Sequence, residues 1–246
     1  MSTAPDPYYR RDLALVHHLG FGFHAARCAP GILELLAEVR ARDGLVLELG
    51  CGTGLLTAEL VSTGHRVVAT DASPAMLELA RDAIGGRAEL RRITLPDDPL
   101  PPADAVVAVG HPLNYVADAP ALDRALVAAA RALRPGGVLA LDVCDLSWGR
   151  ARTRAPGQGR TGPGWAIVTE FAVTSPDRFV RDITTFVANP DGSWRRDTEH
   201  HENVLVDTTR IPGLLATAGV DAHVADSFGD EQLPEGLKVV VGRRPV

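Results

Sequence analysis

Ten residues, from Leu45 to Gly54, constrain the fold of this chain more than any other segment. They read L-V-L-E-L-G-C-G-T-G, so an apolar run carrying Glu48 leads into glycines at every second position. Such a run is typical of a strand buried on both faces. Glycines at its carboxyl end let the backbone turn tightly and lie close to a ligand. The segment predicts a ligand held on bare backbone; the alternative is a glycine-rich turn with no ligand.

The spacing of these glycines separates two kinds of nucleotide site. A dinucleotide fingerprint needs G-x-G-x-x-G, but Gly54 is followed by two leucines. An NAD(P)-dependent oxidoreductase is therefore the weaker alternative. The segment resembles instead the first motif of class I S-adenosylmethionine (SAM) dependent methyltransferases, in which an apolar strand leads to an acid, one further residue and G-x-G-x-G. The resemblance implies SAM as cofactor, S-adenosylhomocysteine as product, and cofactor contacts from Glu48, which orients the amino-acid end, and from Gly50, Cys51, Gly52 and Gly54.

A second acid, Asp71, ends the next predicted strand, R-V-V-A-T-D. In a doubly wound sheet the carboxyl end of the second strand lies beside the first, so an acid there can bind both ribose hydroxyls. Asp71 is the predicted ribose ligand, with an exposed surface acid as the alternative. Ser73 is the predicted N-cap of the following helix and Pro74 its first residue. Ala72 and Met76 are expected against the cofactor, although Met76 could equally fill the core.

The adenine contact departs from the family pattern. Many members carry an acid after the third strand that binds the adenine amino group. Here that loop reads R-I-T-L-P-D-D-P-L-P, and its acids, Asp97 and Asp98, come later. Thr94 or a backbone carbonyl is the expected replacement. Gly110, after the fourth strand, completes the predicted cofactor site.

Strands and helices alternate along the chain, which predicts an α/β fold with a doubly wound, mostly parallel, Rossmann-like sheet. Strands are expected at 45–49, 66–70, 89–93, 105–109 and 138–143, and helices at 30–41, 55–61, 74–83 and 120–133. The R-P-G-G of residues 134–137 is expected to end the last of these helices and to turn into the fifth strand. The stretch L-R-P-G-G-V-L-A-L-D again resembles the methyltransferase family. That family closes with a late helix, here 213–218, and two strands, here 220–227 and 237–243, of which the last is antiparallel. The sheet then has seven strands.

An insert interrupts this alternation. Residues 147–164 are rich in Gly, Arg and Pro and are predicted to be a mobile loop. Three alternating runs follow, separated by S-P-D and N-P-D-G, which predicts an antiparallel β meander. A similar insert in small-molecule methyltransferases, including sugar N-methyltransferases, roofs the active site or pairs subunits, so a homodimer through it is expected; a purely structural sheet is the alternative. One domain, 1–246, results, with a helical lid (1–44), a SAM-binding core (45–145), the insert (146–206) and a closing segment (207–246).

Candidate catalytic residues follow the fourth strand in A-V-G-H-P-L-N-Y-V. In-line attack on the sulfonium methyl needs an aligned acceptor and little water, and an acceptor that must lose a proton needs a base. This stretch resembles the S-L-N-Y-L-type segment of many family members, whose sugar-modifying branch has a catalytic candidate near Tyr115. We expect His111 and Tyr115 to be catalytic and Asn114 to bind substrate; alternatively His111 caps a turn and the other two close the SAM pocket. The amino-terminal segment often forms a lid in the family, which makes Tyr9, His18 and His24 candidate substrate contacts.

Composition bounds the partners and the compartment. A net charge of −6 offers no basic field for nucleic acid, and no run of 18 apolar residues offers a membrane span. The amino terminus lacks the apolar core of a secretory signal, and three scattered cysteines suit a reduced cytoplasm. The E-H-H-E at 199–202 contains metal-ligand residue types, but a strand would point its two histidines to opposite faces. No metal is predicted.

The sequence therefore predicts a SAM-dependent methyltransferase that acts on N, O or C of a small molecule by direct displacement. Protein and nucleic-acid substrates are the weaker alternatives. A SAM-binding enzyme that catalyses a rearrangement or an elimination, and a non-catalytic SAM-binding protein, remain open as alternatives.

Overall fold

The computed structural model describes residues 8–153 and 157–246, and within them the chain forms a seven-stranded sheet and a four-stranded sheet. The helices are α1 Arg11–Gly20, α2 Phe23–Leu35, α3 Ala37–Ala41, α4 Leu55–Ser62, α5 Pro74–Ile84, α6 Ala119–Ala132, α7 Ser147–Arg152 and α8 Ile211–Ala216, with short 3-10 turns at Pro112–Tyr115 and Thr208–Arg210. The strands are β1 Leu45–Leu49, β2 Arg66–Asp71, β3 Glu89–Arg92, β4 Ala103–Ala108, β5 Leu133–Cys144, β6 Gln158–Gly162, β7 Trp165–Ser175, β8 Arg178–Ala188, β9 Trp194–Val204, β10 Asp221–Ala225 and β11 Leu237–Arg243.

The seven-stranded sheet has the order β3-β2-β1-β4-β5-β11-β10. Strands β1 to β5 are parallel, and β11 is antiparallel to both of its neighbours. The predicted doubly wound α/β sheet with an antiparallel last strand is thus confirmed. Strand order reverses between β1 and β4, and ligands of such sheets bind where the carboxyl ends of the strands diverge at this point.

Apolar clusters cover both faces of the sheet, which explains the near-continuous apolar runs of its central strands. On one face, strand residues such as Leu47 and Val106 pack against the apolar side of α6. On the other face, Val46 and Val107 pack against residues of α2 to α5. The strands are thereby held rigidly, so the loops at their carboxyl ends keep fixed positions.

The segment R-P-G-G was expected to form a turn before the fifth strand, and this prediction was wrong. Strand β5 begins at Leu133, which pairs with Ala103. The N–H of Gly136 donates to the backbone carbonyls of Arg244 and Pro245. Contacts with the distant chain terminus therefore replace the local turn.

The four-stranded sheet has the order β6-β7-β8-β9. Strands β7 to β9 are the expected antiparallel meander. The preceding stretch, expected to be a mobile loop, contains α7 and β6 instead; its residues 154–156 lie outside the described part of the chain. Strands β6 and β7 join at Pro163-Gly164, where Gly164 has φ +75°, and a Pro-Gly pair with this backbone forms a tight type II turn.

The amino-terminal helices link the insert to the core. Leu13 and Val16 of α1 pack with Trp165, Ile167 and Ile183 of the insert, while α2 packs on the large sheet. The predicted helix at 30–41 is two helices, and α2 starts earlier, at Phe23. Residues 1–7 of the predicted lid lie outside the described residues. In the described part of the chain, no helix is both long and apolar enough to cross a membrane.

Candidate active site

Two of the glycines after β1 are required by packing. A Cβ on Gly50 would lie 2.2 Å from Cβ of Pro112, because the loop after β4 crosses directly over this residue. A Cβ on Gly54 would lie 2.9 Å from Cδ1 of Ile84 in α5. Both glycines thus allow neighbouring segments to approach β1 closely.

Two other glycines border open space. Among the described residues, Gly52 (φ +55°) and Gly110 (φ +92°) have no atom beyond their own chain neighbours within 4 Å of the position of an added Cβ. Cys51 lies between Gly50 and Gly52. Its N–H donates to the backbone carbonyl of Thr70 on β2, which fixes the glycine loop. The bare backbone predicted for a ligand is therefore present at the ends of β1 and β4.

Asp71 ties the end of β2 to the glycine loop. Its Oδ2 accepts from the N–H of Gly52 at 2.9 Å, and its Oδ1 accepts from the N–H of Ser73 at 2.9 Å. Burial raises the pKa of Asp71, while these backbone donors lower it. Each carboxylate oxygen can accept more than one hydrogen bond, so the group retains capacity for sugar hydroxyls.

Glu48 lies beneath the loop with 3% of its surface exposed. Its Oε2 accepts from the hydroxyl of Thr57 in α4 at 2.6 Å. Burial raises the pKa of Glu48 to about 8, although the Thr57 hydrogen bond lowers it. The side chain therefore joins β1 to α4, and its carboxyl group is mostly protonated at pH 7 in the ligand-free protein.

The helix after Asp71 begins as expected. Ser73 caps α5, its hydroxyl accepting from the N–H of Met76 at 3.2 Å, and Pro74 is the first residue of the helix. Met76 is buried, and the carbonyl of Ala72 accepts a hydrogen bond from the Arg92 side chain. Ala72 directly follows Asp71, where the ribose is expected, and Met76 lies in the first turn of the helix after it.

A carboxylate does reach the end of β3. The N–H of Thr94 donates to Oδ2 of Asp98 at 2.7 Å, and the Thr94 carbonyl accepts from the N–H groups of Asp97 and Asp98. The loop folds back, so Asp98 occupies the region from which the family's acid was missing. Asp98 joins Thr94 as a candidate adenine contact.

The loop after β4 is held by Asp142 of β5, which the sequence analysis missed. This fully buried carboxylate accepts from the N–H of Gly110 at 2.8 Å, from the N–H of His111 at 2.6 Å and from Nε2 of His24 at 2.9 Å. His111 has φ +50°, which is uncommon outside glycine and is often found at functional sites. Asp142 could have been found in the sequence, because it is the single charged residue in the apolar run L-A-L-D-V.

Tyr115 lies at the centre of an aromatic cluster. Its ring stacks on that of His111 with centroids 5.6 Å apart, and its hydroxyl is 2.8 Å from that of Tyr9. Arg181 of β8 donates a hydrogen bond to the Tyr115 hydroxyl. Burial raises the pKa of Tyr115 well above its usual value, so it orients neighbours more readily than it accepts a proton.

The insert contributes inward-facing polar residues that were also missed. Arg181 on β8 pairs directly with His201 on β9. His201 is fully buried and donates from Nε2 to Glu199 at 2.8 Å, and Glu199 also accepts from the N–H groups of Tyr9 and Arg10. His200 is exposed and bonds Asp182, so the two histidines of E-H-H-E do face opposite sides. A polar residue at the inward position of an alternating strand was the signal for Arg181.

Two histidines of this chamber, His111 and His17, are held neutral. Burial, then electrostatic interactions with Arg181, His24 and Arg152, lower the pKa of His111 well below its usual value. Burial and Arg181 lower the pKa of His17 to about 4. At neutral pH the His111 ring is uncharged, and its buried Nδ1 has no hydrogen-bond partner among the described residues.

Asn114 and His18 lie apart from this chamber. Asn114 is fully buried, and its side-chain amide bonds to the backbone of Cys144 and Val204. It therefore links the loop after β4 to the ends of β5 and β9. His18 lines a separate cavity of about 390 Å³ beside α4. A larger groove of about 620 Å³, lined by residues such as Pro96 and Arg131, contains none of the predicted site residues. Substrate contacts from Asn114 and His18 remain predictions from the sequence.

Comparisons with known proteins agree with this architecture. The family model of a methyltransferase domain matches residues 46–137. The putative methyltransferase YqeM of Bacillus subtilis is 31% identical over 198 residues, 77% of this chain and 78% of that protein. An uncharacterized methyltransferase of Mycobacterium tuberculosis is 37% identical over 139 residues, 54% of this chain and 53% of that protein; the chain thus spans about half the length of this relative.

The fold also resembles a solved structure. SAM-bound CalS10, an amino pentose methyltransferase from Micromonospora echinaspora, is 20% identical, with 98% of this chain and 100% of that chain covered and a TM-score of 0.71. An identity this low establishes the fold alone. With the relatives above, the chain belongs to the methyltransferase family.

Gly50→Ala is expected to destabilise the protein more than Gly64→Ala. Both glycines have positive φ, +64° and +89°, and share the cost of a side chain in that backbone, about 1–2 kcal/mol. Only at position 50 does the new Cβ overlap a neighbour, which should add roughly 1–3 kcal/mol. Urea unfolding of the two variants measures the difference; equal losses would contradict the close approach of Pro112.

Glu48 should make the ligand-free protein less stable as the pH rises. A glutamate titrates at about 4.3 in the unfolded chain, and Glu48 at about 8 in the folded protein. Between these values the folded state holds the extra proton. Its contribution to stability is therefore complete below the lower pH and decreases toward the higher one, by up to about 1.4 kcal/mol per pH unit. Denaturant unfolding from pH 5 to 8 measures this slope.

Glu48→Gln keeps an acceptor for Thr57 and removes the titration, so its stability should vary less with pH. Glu34→Gln, at an exposed position, is the matched control and should retain the wild-type slope. Parallel curves for Glu48→Gln and the wild type would show that Glu48 does not titrate in this range.

Proposed function

We propose that this protein is a SAM-dependent methyltransferase that transfers the methyl group to N, O or C of a small molecule. The observation that carries the proposal is the open backbone of Gly52 and Gly110 between the carboxyl group of Asp71 and the chamber around His111. Cofactor and acceptor would meet there, at the reversal of strand order, where ligands of such sheets bind.

Asp71 would bind the ribose hydroxyls, and the adenine would extend toward Thr94 and Asp98. The amino-acid end would lie along Gly50 to Gly54, above Glu48. A sulfonium placed beside Glu48 and Asp71 favours their ionised forms, because an opposite charge lowers the pKa of a carboxyl group. The two acids would therefore become more fully ionised when the cationic cofactor binds, and their negative charges would then attract it.

Direct displacement requires the lone pair of the acceptor to attack the methyl carbon while the carbon–sulfur bond breaks toward sulfur. Neutral His111 could take the proton that the acceptor loses. The positive side chains around the chamber also favour the uncharged form of an amine, as nearby like charges do. Tyr9 and Tyr115 would position the acceptor in line with the methyl group. They would also exclude water from the reacting atoms.

Two observations support a small molecule as the methyl acceptor, and neither identifies the molecule. The insert covers the chamber with Arg181 and His201, which suits a small molecule better than a polymer, and CalS10, named as an amino pentose methyltransferase, shares the fold. A homodimer through the insert and a cytoplasmic location remain predictions from the sequence. Detection of S-adenosylhomocysteine after incubation with a metabolite extract separates methyl transfer from a rearrangement, an elimination or mere binding.

Replacement of Asp71 is expected to weaken SAM binding. A hydrogen bond to a charged group contributes about 1.5–3 kcal/mol, so Asp71→Ala should lower the affinity roughly 10- to 150-fold. Asp71→Asn keeps one acceptor oxygen and should lose less. Isothermal titration calorimetry measures both, with thermal unfolding to confirm that the loop remains folded. Asp221→Asn, at an exposed position on β10, is the control; equal affinities for all four proteins would refute the ribose contact.

His111→Asn should reduce turnover while leaving SAM affinity unchanged. Asparagine tolerates positive φ better than most residues, so the variant removes the imidazole with little backbone strain. Loss of a general base lowers the rate by about 10²–10⁴-fold. Formation of S-adenosylhomocysteine is followed with an acceptor that gains one methyl in the extract screen. His200→Asn, on the outer face of β9, is the matched control, and full activity of His111→Asn would exclude the base role.

A further inference from the structure

Arg181 is a charged side chain without a described counter-charge. None of the carboxylates in residues 8–153 and 157–246 forms an ion pair with it. Its described hydrogen-bond partners are the hydroxyls of Tyr115 and Tyr9 and, at 3.4 Å, Nδ1 of His201. Its Nε is buried and unpartnered among these residues. Arg181 is largely enclosed by protein, but the residue as a whole is only half-buried, which leaves room for a ligand beside it.

Carboxylates near this opening are already engaged. Asp142 accepts from Gly110, His111 and His24, and Glu199 accepts from Tyr9, Arg10 and His201. His111 and His17 are neutral at pH 7, because their pKa values are lowered. No carboxylate among the residues that the structure describes therefore cancels the positive charge of Arg181.

A second arginine adds to this charge. The guanidinium of Arg152 in α7 lies 4.1 Å from the centroid of the Trp148 ring, and that ring lies 5.5 Å from the ring of His111. Within the described residues Arg152 likewise has no carboxylate partner. Two unpaired arginines beside one chamber give it a positive potential in a protein whose net charge is −6.

An uncompensated buried charge is costly unless it is paired and hydrogen-bonded. Arginine remains protonated under all physiological conditions, so it cannot escape this cost by losing its proton. Its fork of N–H donors matches the two oxygens of a carboxylate or phosphate. A ligand of that chemistry is the missing partner.

We propose that the methyl acceptor carries an oxyanion, a carboxylate or a phosphoryl group, which pairs with Arg181 while Arg152 adds attraction. The proposal rests on the methyltransferase function proposed above and names its substrate class. Nε and the free N–H groups of Arg181 bind the oxyanion, and Tyr115 holds the guanidinium in place. The anion anchors the acceptor on the insert, opposite the loop of Gly110 and His111.

The test uses the full chain saturated with S-adenosylhomocysteine. Inorganic phosphate or acetate is titrated at constant ionic strength set by sodium chloride, and thermal unfolding is recorded. We expect at least one of the two anions to raise Tm progressively beyond the effect of chloride. Stabilisation by phosphate alone indicates a phosphoryl group, and stabilisation by acetate alone indicates a carboxylate.

Three variants locate the effect. Arg181→Gln should weaken the apparent anion affinity at least tenfold, Arg181→Lys should retain part of it, and Arg196→Gln, whose guanidinium is exposed on β9, should respond as the wild type does. Without anion, Arg181→Gln should melt no lower than the wild type, because it removes an uncompensated charge. Should Arg181→Gln fail to fold, Arg152→Gln serves in its place and should show a smaller loss of affinity.

No stabilisation by either anion, or the same response in Arg181→Gln and the wild type, overturns the proposal. Calorimetry with S-adenosylhomocysteine on each variant keeps the two proposals separate. If the wild type does not bind S-adenosylhomocysteine, the proposed methyltransferase function is contradicted. The anion titration of the ligand-free chain would still test the role of Arg181.

Discussion

The buried carboxylate of Asp142 is the interaction on which the candidate active site most depends. It receives hydrogen bonds from the loop after β4, through Gly110 and His111, and from His24 of α2. A central strand, the loop with the candidate base and the amino-terminal helices thus share one anchor. Because hydrogen bonds to a buried charge are stronger than neutral ones, the anchor can hold His111 in its uncommon backbone conformation.

The sequence predicted the sheet because its signals are local. Each parallel strand is an apolar run followed by a glycine or an acid, as at Glu48 to Gly54 and at Asp71. The errors arose where distant contacts decide the structure. The R-P-G-G segment becomes strand through pairing with Ala103 and the chain terminus, and β6 forms because β7 is available to pair with it.

The same distinction separates the two halves of the site. The proposed cofactor contacts follow strand ends within one motif, so local sequence is enough to nominate single positions such as Asp71. The acceptor chamber joins residues that are far apart in the chain, including Tyr9, Tyr115, Arg181 and His201. The alternation of buried and exposed positions along β8 could have shown that Arg181 faces inward. The sequence around Arg181 could not show that Tyr115 would contact it there.

Charge is distributed unequally between the two halves, and this bears on turnover. In the proposed function, the carboxyl groups of Glu48 and Asp71 lie on the cofactor side, and Arg152 and Arg181 lie on the acceptor side. A sulfonium and an oxyanion bound at these sides would approach each other where water is scarce, so their attraction would be strong. Transfer of the methyl group would remove the sulfonium charge, so the acids would attract S-adenosylhomocysteine less than they attract SAM. The methylated product would keep its oxyanion and its contact with Arg181, but it would no longer face a sulfonium. The arrangement therefore favours the bound reactants over the bound products.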